Sequence, residues 1–181
     1  MKKAFILNGS PRKKGNTSIL IQHLTENINS NIEIEQLFLY DISILPCIDC
    51  RACKKGNLEC VLKDGMKEIY PKLDDSDLIV IGTPIYWFGP TATTKLFLDR
   101  FRPYFVNKKL SGKKAALILP AGSGAGDCGL TTEMFKRSFD ALGVELIQTI
   151  TSEAYDAGDT NNDTKALSEI KELAMAINSN V

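Results

Sequence analysis

The sequence has one histidine, one tryptophan and no surplus of charge of either sign, with 22 Lys and Arg against 22 Asp and Glu. Balanced charge argues against a surface built to neutralise phosphates, so general nucleic-acid binding is not expected. It also argues against a strongly acidic carrier that steers basic partners. The lone His23 falls within a helical stretch and suggests no Ser-His-Asp or Cys-His set, so a side-chain nucleophile is not expected. Long hydrophobic runs are missing as well. No stretch approaches the roughly twenty apolar residues of a membrane span, and the run Ala4–Leu7 is too short for the core of a secretory signal. The expectation is a cytoplasmic protein with no membrane partner. A length of 181 residues, 44% of them hydrophobic, predicts one domain, 1–181, with a full core.

What is present is an alternation of short apolar runs and helical periods. Lys3–Asn8, Leu78–Gly82 and Ala115–Leu119 are nearly continuous apolar runs, the signature of strands buried on both faces. Ile32–Leu39 and Val144–Ile150 complete five strands. Between and after them, Thr17–Ile28, Gly65–Leu73, Thr91–Phe101, Thr131–Leu142 and Asp163–Ile177 carry one apolar face at helical spacing. Asn16 or Thr17 is the expected cap of the first helix, and Gly143 the expected terminator of the fourth. Such alternation predicts an α/β three-layer sandwich with a parallel sheet, in the flavodoxin-like order 2-1-3-4-5. In these sheets ligands sit beyond the carboxyl ends of the strands, which directs attention to the loops after strands one, three and four. Residues 41–64 fit no period and read as a cysteine-rich insertion after strand two.

The first loop, Asn8-Gly9-Ser10-Pro11-Arg12-Lys13-Lys14-Gly15-Asn16-Thr17-Ser18, runs straight into a helix. Helix N-terminal N–H groups, the hydroxyls of Ser10, Thr17 and Ser18, the glycine at Gly15 and the fork of Arg12 make an anion site. The spacing matches neither a Walker loop nor a dinucleotide fingerprint, so a monophosphate such as that of FMN fits better. The second loop, Pro84-Ile85-Tyr86-Trp87-Phe88, offers a flat apolar surface suited to a planar ring. The same aromatics also suit a subunit interface. The third, Pro120–Gly129, is nearly free of side chains, so Gly122, Ser123 and Gly126 could lie against a ring without crowding it.

Cys47-x2-Cys50-x2-Cys53-x6-Cys60 is the sharpest pattern. Four thiolates in such a run suit an iron–sulfur cubane. A four-thiolate zinc site and unligated thiols are the other readings. Arg51, Lys54 and Lys55 would offset part of the thiolate charge.

The motifs N-G-S-P-R-x-x-G-N-T, P-C-x2-C-x2-C-x6-C-x3-D-G-M and G-T-P-I-Y-W-F-G-P together resemble those of the iron–sulfur flavoproteins, in the wider NADPH-dependent FMN reductase and flavodoxin-like superfamily. The resemblance implies FMN held at its phosphate by Ser10, Arg12, Asn16, Thr17 and Ser18. It places the ring against Pro84, Ile85, Tyr86, Trp87 and Phe88 and against Gly122 and Ser123. It further implies a 4Fe–4S cluster on Cys47, Cys50, Cys53 and Cys60, and a homodimer or larger homo-oligomer with flavins near subunit boundaries. The expected activity is electron transfer between cluster, FMN and a small acceptor, with ferredoxin or NAD(P)H as donor. The alternatives are a clusterless NAD(P)H-dependent reductase of flavins, quinones or nitro compounds, and a zinc-stapled binding module.

Overall fold

The apolar runs form the centre of the molecule. The computed structural model describes residues 2–180, with side chains for 2–179; Met1 and Val181, the ends of the expected domain, lie outside the described residues. Strands β1 (Lys2–Asn8), β2 (Ile32–Phe38), β3 (Leu78–Gly82), β6 (Lys114–Ala121) and β7 (Glu145–Glu153) make one sheet in the order β2-β1-β3-β6-β7. Every pairing in it is parallel. A separate two-stranded hairpin, β4 (Ile85–Tyr86) with β5 (Gly89–Pro90), interrupts the numbering. With the hairpin set aside, the order is the flavodoxin-like 2-1-3-4-5.

Alternate residues of each strand feed two cores. Phe5, Leu7, Ile79, Ile81, Leu117 and Leu119 pack against α2 (Met66–Asp75), α3 (Ala92–Asp99), α4 (Arg102–Asn107) and α5 (Ala125–Leu142). Ala4, Ile6, Leu78, Val80, Ala116 and Ile118 pack against α1 (Asn16–Asn27) and α6 (Thr164–Asn180). β1, β3 and β6 are buried on both faces because helices cover both, so they read as unbroken apolar runs. No described helix is long and apolar enough to cross a membrane.

Four local expectations are corrected. Neither Asn16 nor Thr17 caps α1: the N-cap is Gly15, and no side chain satisfies the exposed N–H groups. The helix expected over Thr91–Phe101 ends at Asp99, and α4 starts anew at Arg102. Pro103 has no N–H to donate and would clash with the preceding turn, which favours the break before it. The third loop is much shorter than Pro120–Gly129. β6 extends to Ala121 and α5 begins at Ala125, leaving Gly122–Gly124 as the connection. Cys128 and Thr131 are buried on the packing face of that early turn, which outweighs the low helix propensity of Gly126 and Gly129. Finally, β7 runs three residues beyond Ile150, which carries the chain to Ala154 and Tyr155 beside the other strand ends.

Candidate functional site

The loop after β1 is folded by its own polar groups. Asn8 accepts the Ser10 N–H at 2.9 Å and donates to Ser18 Oγ at 2.9 Å. Ser10 Oγ accepts the Arg12 N–H at 3.1 Å, and the Gly15 N–H reaches the Arg12 carbonyl at 3.0 Å. The first helical bond runs from the Ile19 N–H to the Gly15 carbonyl, so the N–H groups of Asn16, Thr17 and Ser18 have no acceptor within the helix. No acid lies in the first turn. The Arg12 side chain is exposed and makes no ion pair among the described residues. Three free N–H groups, a helix dipole and an uncommitted guanidinium form an anion seat.

Below this loop the backbones approach closely. A Cβ on Gly9 would collide with Thr94 Oγ1 and meet the Gly82 carbonyl oxygen at 3.2 Å. Three fully buried threonines bind the strand ends together. Thr91 Oγ1 donates to the Gly9 carbonyl at 2.7 Å and lies 2.9 Å from Thr94 Oγ1, which in turn donates to Thr83 Oγ1 at 3.3 Å.

The hairpin after β3 turns at Trp87 and Phe88 with φ of 51° and 62°, so two large L residues occupy the left-handed region that two-residue hairpin turns reserve for Asn and Gly. Trp87 is 96% exposed and Phe88 57%. The Phe88 carbonyl accepts Thr131 Oγ1 at 3.2 Å, which ties the hairpin to α5.

Ser10, Arg12, Gly15, Asn16, Thr17, Pro84, Ile85, Tyr86 and Gly122 line one cleft of about 250 Å³ at the carboxyl ends of the strands. Other expected residues lie off it. Ser18 faces Asn8, Trp87 and Phe88 point to solvent at the hairpin tip, Ser123 lines a neighbouring cleft, and Gly126 sits in the first turn of α5. The Asn16 side chain is committed elsewhere. Its Nδ2 donates to the Asp156 carbonyl at 2.8 Å, and its Oδ1 accepts the Gly158 N–H at 2.8 Å and the Thr160 hydroxyl at 3.4 Å. Asn16 therefore braces the segment that presents Tyr155, and only its N–H remains for a ligand.

Tyr155 was not visible as a site residue from the pattern. It is 84% exposed, lines the cleft, and its ring lies 3.3 Å from where a Gly122 side chain would begin. Its only sequence signal is its place just after the fifth strand, a loop that the switch-point argument passed over.

Residues 42–65 contain only one short 3₁₀ turn, Ala52–Lys54. Asp49 and Arg51 flank Cys50 with φ of 49° and 60°, which coils the chain tightly through the first three cysteines. All four thiols are unpaired and line one cleft. Among the described residues, no three His, Cys, Asp or Glu side chains converge as ligands of a single metal ion. Burial, with Cys60 and Cys47 alongside, pushes the Cys53 thiol up.

Of the residues expected to supply positive charge, Arg51, Lys54 and Lys55, only Arg51 lines the cysteine cleft. It is paired with Asp49, and two further arginines, Arg102 and the buried Arg100, line the cleft with it. Arg100 Nη2 donates to Cys60 Sγ at 3.3 Å and to Asp64 Oδ1 at 3.1 Å. Burial would lower the Arg100 pKa and raise that of Asp64. Burial is the largest single effect on each. Their mutual hydrogen bonds, together with the Leu45 and Met66 N–H groups on Asp64 and the Tyr70 and Cys60 side chains beside Arg100, outweigh it, so the pair stays charged. Cys128 is a separate matter: it is buried, donates to the Gly124 carbonyl, and burial raises its thiol to about 11.

Comparison with known proteins gives the family. The profile of the NADPH-dependent FMN reductase family matches residues 2–155. The chain is 32% identical over 138 residues to an iron–sulfur flavoprotein of Methanocaldococcus jannaschii, covering 76% of this chain and 71% of that one. It is 31% identical to an iron–sulfur flavoprotein of Archaeoglobus fulgidus, over 98% of this chain and 89% of the other. Among solved structures, an FMN-dependent NADH-azoreductase of Bacillus anthracis in complex with FMN shares the fold at a TM-score of 0.72 and 21% identity, over 98% of this chain and all of that one. The chain belongs to the NADPH-dependent FMN reductase family, among its iron–sulfur flavoproteins, and is a flavin-dependent oxidoreductase.

Proposed function

We propose that this protein, as a single domain 1–181, passes electrons between a 4Fe–4S cluster, FMN and a small acceptor. The observation that carries the flavin site is the uncapped start of α1: three N–H groups with no acid in the first turn, beside an unpaired Arg12. The monophosphate takes those N–H groups with the hydroxyls of Ser10 and Thr17. The ring lies against Pro84, Ile85 and Tyr86, with Gly122 allowing close approach and Tyr155 at its other edge. Trp87 and Phe88 shield the ring from beyond the hairpin tip or from a partner subunit; their exposure in one chain favours a homodimer or homotetramer.

The cysteine cleft fits a thiolate-held cluster on chemical grounds. It offers four thiols, three arginines, and one buried donor, Arg100 Nε, that no acceptor satisfies. Cys47, Cys50, Cys53 and Cys60 would hold it. Bound FMN supplies the exchange between one- and two-electron transfers, and a cluster supplies single electrons. The protein's part is to seat both groups, exclude water with its loops and hold the charge; no side-chain nucleophile is needed.

Anaerobic purification followed by an absorption spectrum, flavin extraction, and iron and zinc analysis tests the reading. One FMN and four irons per chain are expected, with reduction by ferredoxin or NAD(P)H. Protein that neither contains nor takes up FMN refutes the flavin site. FMN without iron, bleached rapidly by NADPH alone, refutes the cluster and leaves the simple reductase. Zinc in the cysteines with no flavin leaves only a binding module.

A further inference from the structure

Arg100 is the bulkiest side chain that the fold seals from solvent, with 1% of its side chain exposed. It closes α3, and Pro103 just beyond favours the end of that helix here. Its guanidinium meets three kinds of acceptor. Both terminal nitrogens reach the Asp64 carboxylate, Nη1 also donates to the Leu45 carbonyl at 2.7 Å, and Nη2 donates to Cys60 Sγ at 3.3 Å. Asp64 in turn accepts the N–H groups of Leu45 at 2.7 Å and Met66 at 3.2 Å. One buried cation thus ties the entrance of the cysteine segment, its last cysteine and the start of α2 to the end of α3.

A buried ion pair by itself is weak grounds for a stabilising role, because desolvation of both partners offsets their attraction. The sulfur distinguishes this one. Cys60 has a fixed, fully buried N–H donor, while Cys50 is exposed and Cys47 has the surface residue Arg102 near it. In a low-dielectric site, a positive N–H donor against a ligand sulfur favours the more negative, reduced state of whatever that sulfur holds.

We infer that Arg100 is a positioning residue for Cys60: it orients this sulfur into the cysteine cleft and raises the reduction potential of the group bound there. The inference rests on the cluster reading above. Its signature is a sign difference between two halves of one buried pair. Removing the cation lowers the potential, whereas neutralising Asp64 leaves Arg100 less compensated and raises it.

The test is a redox titration of anaerobically purified, iron-containing protein, with electron paramagnetic resonance of the reduced state. Arg100→Gln is expected to lower the iron–sulfur midpoint. Arg100→Lys keeps a charge but cannot span carboxylate and sulfur together, so a smaller drop is expected, with the flavin midpoint unchanged. Asp64→Asn is expected to shift the midpoint upward. Loss of iron from both Arg100 variants with flavin retained also supports the role, since it shows Cys60 losing its anchor. Downward shifts in all three variants, unchanged midpoints in the Arg100 variants, or joint loss of iron and flavin overturn the inference and leave a general structural role. Wild-type protein that binds FMN but no iron overturns the cluster reading itself, and this inference with it.

Discussion

Thr91→Ala tests how the strand ends are held beneath the flavin cleft. Thr91 Oγ1 caps α3 by accepting the Thr94 N–H at 3.3 Å, and the same hydroxyl donates to the Gly9 carbonyl at 2.7 Å. Gly9, Thr83 and Thr94 cannot find water instead, because the three threonines are fully buried. Losing a cap costs about 1 kcal/mol, and leaving a buried carbonyl unpaired costs about 1–3 kcal/mol. One hydroxyl serves both roles, so about 3 kcal/mol is expected in total; for a chain of this length that lowers Tm by roughly 6–12 °C. Thr91→Ser keeps the hydroxyl, loses one methyl group, and should cost only about 1 kcal/mol. Urea and thermal unfolding of flavin-stripped protein measure the difference, and titration with FMN should show weaker binding for Ala than for Ser, because Gly9 begins the phosphate loop. An Ala variant that melts within about 2 °C of the Ser variant, with equal FMN affinity, would refute the argument that this network fixes the cleft.

Three further outcomes are expected. Phe88→Gly relieves a large side chain held at φ 62°, so flavin-stripped protein should gain about 1 kcal/mol of stability; a lower midpoint in urea would contradict the strain. Asp163 accepts the Ala166 N–H at 3.0 Å at the start of α6 and the Ser152 hydroxyl at 2.8 Å; burial works against its charge, but these donors lower its pKa below the usual value. Its contribution, about 1 kcal/mol, is therefore complete above the unfolded carboxylate pKa and lost as pH falls through the lower folded one. The stability of Asp163→Asn should accordingly approach that of wild type only in acid, and a constant gap from pH 6 to pH 3 would count against it. Cys128, with its thiol raised to about 11 by burial, stays protonated and shielded, so alkylation of folded, iron-free protein at pH 8 followed by mass spectrometry should label exposed Cys50 first and Cys128 last; early labelling of Cys128 would show that the site opens.

The sheet was legible in the chain because burial on both faces leaves a mark that needs no partner to be read. Phe5 to Leu7 and Leu78 to Ile81 are apolar at every position, and strands covered by helices on both sides have no polar face to show. The uncapped loop before α1 was legible for a similar reason: its N–H donors belong to consecutive residues entering one helix. The four cysteines stand out by spacing alone, and the fold brings them to one cleft. What depended on tertiary structure lies where distant segments share a side chain. Asn16 looks like a phosphate ligand in sequence, yet it spends its amide on Asp156 and Gly158, 140 and 142 residues away. Arg100 looks like one more charge on a helix until Asp64 and Cys60, 36 and 40 positions away, come to rest against it. Local sequence carries burial and backbone preference; it does not carry which groups from separate segments meet in a low-dielectric interior, and there a single hydrogen bond decides a residue's role.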